Sequence, residues 1–487
     1  MKKGLQRYCR WGVPALVGIG VFLFWYVGYP HALSYQEQYQ LFLWTGDYFM
    51  ERIGVPGGLA DLIGEFIVQF YYVEWAGAML IATVFVALQV LTACLLPQSW
   101  RWLSLLPVAA LWWLMGDVNV LMSLPVSLTM ALAIACVRLP KPWSWADVAV
   151  VTAAYWLIGP AVWVYVAIRV AQQGWRHAWT AAWLMAVQLA AYAWLLPEWP
   201  LRQVLTGLNY YRIPLQLPRL QGYDRDMYEL IRLDYLVRNE RWDEVVKRAQ
   251  QVEVRTPFWS NCVNLALAKK RLLADRMFDF YQSGGDALIM PRTRDLTSML
   301  PSAEAFWHLG MVNSAQRYMF DTQESILNAR TSGRCTKRIA ECMLVNGHYQ
   351  TAAKQTGLLK KSLFYRSWAE EAEALMADED ALNAHPVYGR LRRLRYRENF
   401  LYSYEEMDKM LGLLFVNNPE NKMALDYFMG QLLLKGDMRG FQQYMGWVRQ
   451  YGGYRMMPLG YQDAMRCRAS YADYVKRRER SVGKLKN

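Results

Sequence analysis

Residues 33–75 read LSYQEQYQLFLWTGDYFMERIGVPGGLADLIGEFIVQFYYVEW, and the reading of this stretch decides how the chain is built. It lies between two long apolar runs, Trp11–Val27 and Trp75–Leu96. It carries Glu37, Asp47, Glu51, Asp61, Glu65 and Glu74, six of the nine acids in residues 1–200, and Arg52 alone opposes them. A loop that merely links two bilayer crossings has no use for so many carboxylates. Any chemistry is expected here.

The apolar runs continue at Trp102–Met115, Val118–Val137, Val148–Val170 and Trp179–Leu196. Residues 1–200 hold 17 of the 22 Trp but only 10 of the 54 Lys and Arg, the composition of a membrane domain. Residues 201–487 hold the other 44 basic residues and 32 acids, and are long enough to bury a core of their own. The expected fold is therefore all-α, with a helical membrane domain over 1–200, a Pro-punctuated linker over 201–221 and a helical domain over 222–487. In the linker, Asn209, Tyr210, Tyr211 and Arg212 are expected at the membrane surface.

Lys2, Lys3, Arg7 and Arg10 precede the first run. The run is longer than a signal-peptide core and no small-residue cleavage site follows it, so it is expected to be retained, with its N-terminus in the cytoplasm. Arg101, Arg138 and Lys141 then fall on the same side, which puts the acidic loop over 29–74 on the outer face. The fifth run allows two arrangements. As one span kinked at Gly159-Pro160 it gives six spans. Turning there, it gives two short helices, seven spans and a second half that shares the acidic loop's compartment. Length favours six, since a short helix covers about 16 Å at ~1.5 Å per residue against a core of about 30 Å. Charge favours seven, because Arg169 and Arg176 then lie inside.

Within the loop, Ser34 followed by Glu37 has the spacing of a capping box for a helix over Tyr35–Trp44. Gly46-Asp47 breaks it, and Val55-Pro56-Gly57-Gly58 is a second break. After the glycines, Leu59, Leu62, Ile63, Phe66, Ile67 and Phe70 recur at helical spacing, with Asp61, Glu65 and Gln69 on another face. An amphipathic helix resting on the bilayer or on the other spans is expected, with Asp61 and Glu65 on its solvated face. Asp47 sits at a break among aromatics, where burial shifts a carboxyl pKa. Asp47 and Glu37 are the candidate catalytic carboxylates. Tyr48, Arg52 and Asp117 are the candidate substrate-binding residues.

In the second half, LVRNERWDEVVKRA (236–249), HLGMVNSAQRYMF (308–320), LVNGHYQTAAKQT (344–356) and LLKGDMRGFQQYM (433–445) repeat a helix–turn–helix pattern. Gly310 and Gly347 are 37 residues apart, and Asn239 precedes Gly310 by 71. The pattern resembles degenerate tetratricopeptide repeats, with a period of about 34 residues, whose stacked pairs present a surface to protein partners. The arginines at 390, 392, 393, 395 and 397 and the basic tail Lys476–Lys486 lack the interleaved aromatics of a nucleic-acid reader, and a solvated face is expected. The seven Cys form no CxxC, no His stands at a zinc-ligand spacing from them, and neither a metal nor a cofactor is expected.

The order of Glu37-Gln38-Tyr39 and Gly46-Asp47-Tyr48-Phe49, with Ile158-Gly159-Pro160 further on, resembles the GT-C membrane glycosyltransferases over roughly residues 10–200. That resemblance implies a lipid-linked sugar such as a polyprenyl-phosphate sugar as donor, used at the outer face. It departs at Gln36, where those enzymes carry a catalytic Asp, and at Ile158, where they carry Lys. QEQYQLFLWTGDYFMERIGVPGGLAD (36–61) and YDRDMYELIRLDYLVRNERWDEVV (223–246) also resemble a bacterial family of polytopic membrane proteins known only by a domain of unknown function. This implies a bacterial inner membrane, with the second half in the periplasm if there are seven spans. Two functions stay open: glycosyl transfer, and a non-catalytic scaffold that assembles envelope proteins.

Overall fold

A computed structural model describes residues 2–137, 144–212, 221–291, 297, 299–326, 330–396 and 406–466, without side chains for 2–11, 144–145 and 176. Arg138, Lys141, Pro214, Pro218, Arg397, Cys467 and the basic tail, with the side chains of Cys9 and Arg176, lie outside the described residues. The described chain is helical, with one isolated antiparallel bridge between Val120 and Tyr211. It divides into two compact units. The first is Met1–Tyr228 with two short segments of the second half, Leu327–Gly333 and Lys361–Arg366; the second is the remainder.

The first unit contains α1 (Lys2–Leu23), α2 (Pro30–Glu37), α3 (Gly46–Ile53), α4 (Gly58–Gln69), α5 (Glu74–Leu95), α6 (Leu105–Leu114), α7 (Ser123–Cys136), α8 (Ser144–Ile158), α9 (Val162–Gln173), α10 (Trp179–Trp194) and α11 (Leu201–Thr206). α1 packs on α5 and α5 on α7, while α4 lies against α7 and α8. Trp75, Trp100, Trp102, Trp113, Trp175 and Trp194 are exposed, as are Leu16, Ile19, Met79 and Leu106. In water these apolar side chains would be costly to leave uncovered; next to lipid they are at home.

Two helical stretches have the length and apolarity of a membrane span, Glu74–Leu95 and Ala146–Gln173, and a third forms if Gly12–Gly28 is joined to Pro30–Glu37 across an 81° bend. The stretch 146–173 is not straight. A 3₁₀ turn at Gly159–Ala161 separates α8 from α9, and Arg169 Nη2 lies 3.2 Å from Asp147 Oδ1. Residues 22 apart in a straight helix are about 33 Å apart, so α8 and α9 double back as a hairpin with Gly159-Pro160 at its tip. Gly159 has φ +65°, a conformation that favours glycine. The remaining apolar runs form shorter helices than expected. α6 has 10 residues and α7 14, about 15 and 21 Å at ~1.5 Å per residue.

The second unit is built of α12 (Arg225–Arg238), α13 (Trp242–Gln251), α14 (Pro257–Lys269), α15 (Leu273–Arg276), α16 (Met299–Leu309), α17 (Val312–Glu324), α18 (Gly333–Asn346), α19 (Tyr349–Leu359), α20 (Arg366–Ala377), α21 (Glu379–Ala384), α22 (Tyr388–Leu394), α23 (Met407–Asn417), α24 (Lys422–Lys435), α25 (Met438–Tyr451) and α26 (Leu459–Arg466), α12, α18 and α20 each beginning within the first unit's residues. Five of its turns share one geometry. Glu240, Arg271, Gly310, Gly347 and Gly436 all have positive φ. In each case the next residue's N–H returns to the carbonyl five positions back: 241 to 236, 272 to 267, 311 to 306, 348 to 343 and 437 to 432. This is the left-handed helix stop of a Schellman motif. Among the expected turn residues Asn239 is displaced by one, with Glu240 in the left-handed position.

The arginine group is not the solvated face that was expected. Arg392 donates to Glu379 and to the Tyr349 hydroxyl, and Arg395 to the carbonyl of Val345 and to Asn346. Arg393 is exposed.

Candidate functional site

The acidic loop folds differently from its expected capping pattern. α2 begins at Pro30, which occupies the first helical position, where its missing N–H costs nothing. The helix ends at Glu37. Ser34 is therefore inside a helix and Glu37 is its last residue, not a capping partner near its start. Residues 38–44 run on beside the two segments borrowed from the second half. Gly333 N–H donates to the Gln40 carbonyl (3.2 Å), Trp44 N–H to the Lys361 carbonyl (2.9 Å), and the Ser332 hydroxyl to the Gln38 carbonyl (2.5 Å).

Thr45 caps α3, its hydroxyl accepting from Tyr48 N–H. Asp47 lies in the first turn of α3, where a negative charge suits the helix dipole. It is exposed rather than buried among the aromatics. Tyr48 and Arg52, one turn apart on α3, point inward and are buried.

α4 turns its polar face inward, against expectation. Asp61, Glu65 and Gln69 are 3 %, 3 % and 6 % exposed. The reason is a supply of partners. Glu65 Oε2 accepts from the Tyr48 hydroxyl (2.5 Å) and from Arg52 Nε (3.0 Å). Arg330, in one of the borrowed segments, places Nη2 2.5 Å from Asp61 Oδ1 and Nε 2.9 Å from Glu65 Oε1. Two carboxylates thus face two guanidinium groups with water excluded. Burial, opposed by Arg330 and reinforced by Glu65, pushes Asp61 up to about 6. Burial and the adjacent Glu65 hold the Tyr48 hydroxyl protonated, far above its ordinary range. Burial works against the charge on Arg330, but Asp61 and Glu65 outweigh it and raise its pKa.

α4 is placed by close backbone approaches. Gly57 precedes it with φ +86° and donates its N–H to the carbonyl of Trp156 in α8. A Cβ on Gly58 would sit 1.8 Å from the Arg52 carbonyl oxygen, and one on Gly64 2.7 Å from Ser123 N. The helix therefore lies within the unit, against α7 and α8, instead of on a bilayer surface.

Glu37 stands apart from this cluster. It is 3 % exposed, and its Oε1 accepts from the Tyr365 hydroxyl at 2.7 Å. It lines a pocket of about 250 Å³ with Gln40, Phe42, Gln69, Ser362 and Tyr365. Its neighbour Gln36 is buried, with Nε2 donating to the carbonyls of Val118 (3.3 Å) and Val120 (3.5 Å). Asp117 is bound up in the turn after α6. Its Oδ1 accepts from Asn119 N–H (2.9 Å) and its Oδ2 from the Tyr211 hydroxyl (3.1 Å). Tyr210 and Tyr211 are buried in the first unit and do not rest at a surface. The Tyr210 hydroxyl donates to the Ile158 carbonyl and accepts from Ala161 N–H, bracing the hairpin tip.

The structure thus brings Tyr48 and Arg52 together with Asp61, Glu65 and Arg330. It separates Glu37, Asp47 and Asp117 into three different surroundings. Sequence reasoning missed Arg330, Ser332 and Tyr365, which stand 269, 294 and 328 residues beyond the loop residues they contact. The one hint was the loop's surplus of acid, which demanded a cation from elsewhere. Comparison with curated proteins and with solved structures finds no match. The chain belongs to the family of unknown function DUF6057, which matches residues 7–478.

Proposed function

We propose that the protein is a membrane-anchored, non-catalytic scaffold of the bacterial inner membrane, whose repeating helix–turn–helix half presents a surface to other envelope proteins. The observation that carries this reading is Gln36. It stands where the GT-C resemblance puts the catalytic acid, and its amide donates to two carbonyl oxygens. A carboxylate has no hydrogen to donate, and at that position it would face the partial negative charge of two carbonyl oxygens in a buried place. The position suits an amide. The other buried loop acids, Asp61 and Glu65, are engaged by the guanidinium groups of Arg330 and Arg52.

A second reading keeps catalysis. Glu37 lines a pocket and would serve as general base for a sugar acceptor. Such a transfer also needs positive charge at the leaving phosphate, and Arg52 and Arg330 are committed to Asp61 and Glu65.

The two readings part on one experiment. Glu37→Gln and Asp47→Asn are introduced into the chromosomal copy and the envelope glycans are compared by mass spectrometry. The scaffold reading expects unchanged glycans, with photo-crosslinkers on the second unit giving the same discrete protein adducts in both variants. Loss of a glycan in Glu37→Gln, at normal protein level, would overturn it in favour of transfer.

A further inference from the structure

Tyr210 and Tyr211 are buried in the first unit, but Arg212 beside them stays half-buried. The backbone there is pinned. Tyr211 bridges to Val120, Leu121 N–H donates to the Tyr210 carbonyl (3.1 Å), and Arg212 N–H donates to the Asn119 carbonyl (2.8 Å). The guanidinium is carried onto two buried rings, that of Tyr35 in α2 and that of Tyr39 just after it. Its carbon lies 5.2 Å from the first ring centroid and 4.5 Å from the second. The two rings meet edge to face, 5.0 Å apart. Ring faces attract a cation and orient it, but they carry no net charge to neutralise it.

A second observation is the missing counter-charge. Arg52, Arg169 and Arg330 in the same unit each meet a carboxylate. Among the described residues no carboxylate pairs with Arg212. Asp117, two residues before Asn119, accepts instead from Asn119 N–H and the Tyr211 hydroxyl. Nη1 of Arg212 is shut off from solvent without a hydrogen-bond partner among the described residues. A buried donor normally has one. Nε and Nη2 are not shut off in this way. They form an edge that can hold two oxygens of one oxyanion.

We propose that Arg212 binds a phosphate group, held by two hydrogen bonds on its Nε–Nη2 edge while Tyr35 and Tyr39 fix the guanidinium from behind. The tryptophans that this unit exposes suit a lipid interface, where phosphate is the common oxyanion. The phosphate belongs either to a lipid headgroup or to a small phosphate ester, and the recognition chemistry is the same for both. The site is separate from the Glu37 pocket. Tyr35 and Glu37 are two positions apart on α2, about 200° around the helix, and Glu37 turns to Tyr365. The inference therefore holds whether or not the first unit is catalytic.

The test uses the full chain in neutral detergent micelles, without phosphate buffer, and titrates dihexanoylphosphatidate, glycerol 3-phosphate and dihexanoylglycerol by calorimetry. A phosphate-bearing probe is expected to bind saturably, about tenfold or more tighter than dihexanoylglycerol. Tighter binding of the phosphatidate assigns the site to a lipid headgroup; equal or tighter binding of glycerol 3-phosphate assigns it to a free phosphate ester. Arg212→Gln is expected to lower the affinity about tenfold or more. Arg202→Gln, which removes an exposed arginine of α11, is expected to leave it unchanged. Arg212→Lys keeps the charge but not the planar fork and is expected to lose about threefold or more; it decides the matter if Arg212→Gln does not fold. No saturable phosphate binding by the native chain, equal binding of dihexanoylglycerol, undiminished binding by Arg212→Gln or Arg212→Lys, or an equal loss in Arg202→Gln would each overturn the proposal.

Discussion

Arg330 decides what the acidic loop is. Without it, Asp61 and Glu65 would share Arg52 in a place closed to water. Breaking a buried ion pair by removing one partner is strongly destabilising, because the remaining charge keeps its desolvation penalty. Arg330→Met is therefore expected to lower stability by about 3–5 kcal/mol. Adding Asp61→Asn should recover part of that loss, since it removes the orphaned charge. Chemical denaturation of the four proteins of this cycle in detergent measures the coupling; a change under about 1 kcal/mol for Arg330→Met would mean the contact carries no stability. The surplus of acid is visible between residues 33 and 75. The identity of its partner is not, because nothing local distinguishes Arg330 from any other arginine of the second half. Tyr365, which holds Glu37, is hidden for the same reason.

At the scale of elements, periodicity located α4 but misjudged its outward face. A polar stripe on an amphipathic helix usually meets water, yet here guanidinium groups on α3 and in residues 330–333 take the place of water. The break at Val55-Pro56-Gly57-Gly58 was legible, and its tightness can be measured. Gly58→Ala is expected to cost about 1–3 kcal/mol or more, as overpacking forces the backbone to move. The comparison is Gly46→Ala, where a Cβ meets nothing within 4 Å and the change should stay within about 1 kcal/mol. Equal melting temperatures for the two variants would refute the close approach. In the second unit the turns at Gly310, Gly347 and Gly436 announced themselves through glycine. The turn at Arg271 did not, since arginine rarely takes positive φ. It divides the long interval between Glu240 and Gly310 into 31 and 39 residues. Its side chain secures the strained backbone by donating to Asp426 Oδ2 (2.6 Å) and to the Gly452 carbonyl (2.5 Å).

For the whole molecule, the exposed tryptophans and the apolar α5 are compatible with a first unit that associates with a membrane. Alkaline carbonate is expected to leave the full chain in the membrane pellet, and detergent to release it; quantitative release by carbonate would be incompatible with an embedded unit. Composition by itself determined this much: an apolar, Trp-rich first half, a charged helical second half, and an acid surplus between the first two apolar runs. These are properties of residue type and spacing, which burial in lipid or in a helical core reads directly. Tertiary structure alone decided that the chain turns at Gly159-Pro160, because an apolar run of 28 residues is compatible with a straight span or a hairpin, and the contacts of Asp147 with Tyr165 and Arg169 distinguish them. It also decided the meaning of the loop from which the reading began. Whether a carboxylate is a base, a surface charge or half of a buried ion pair depends on which cation reaches it, and that cation is delivered by the fold from almost 270 residues away.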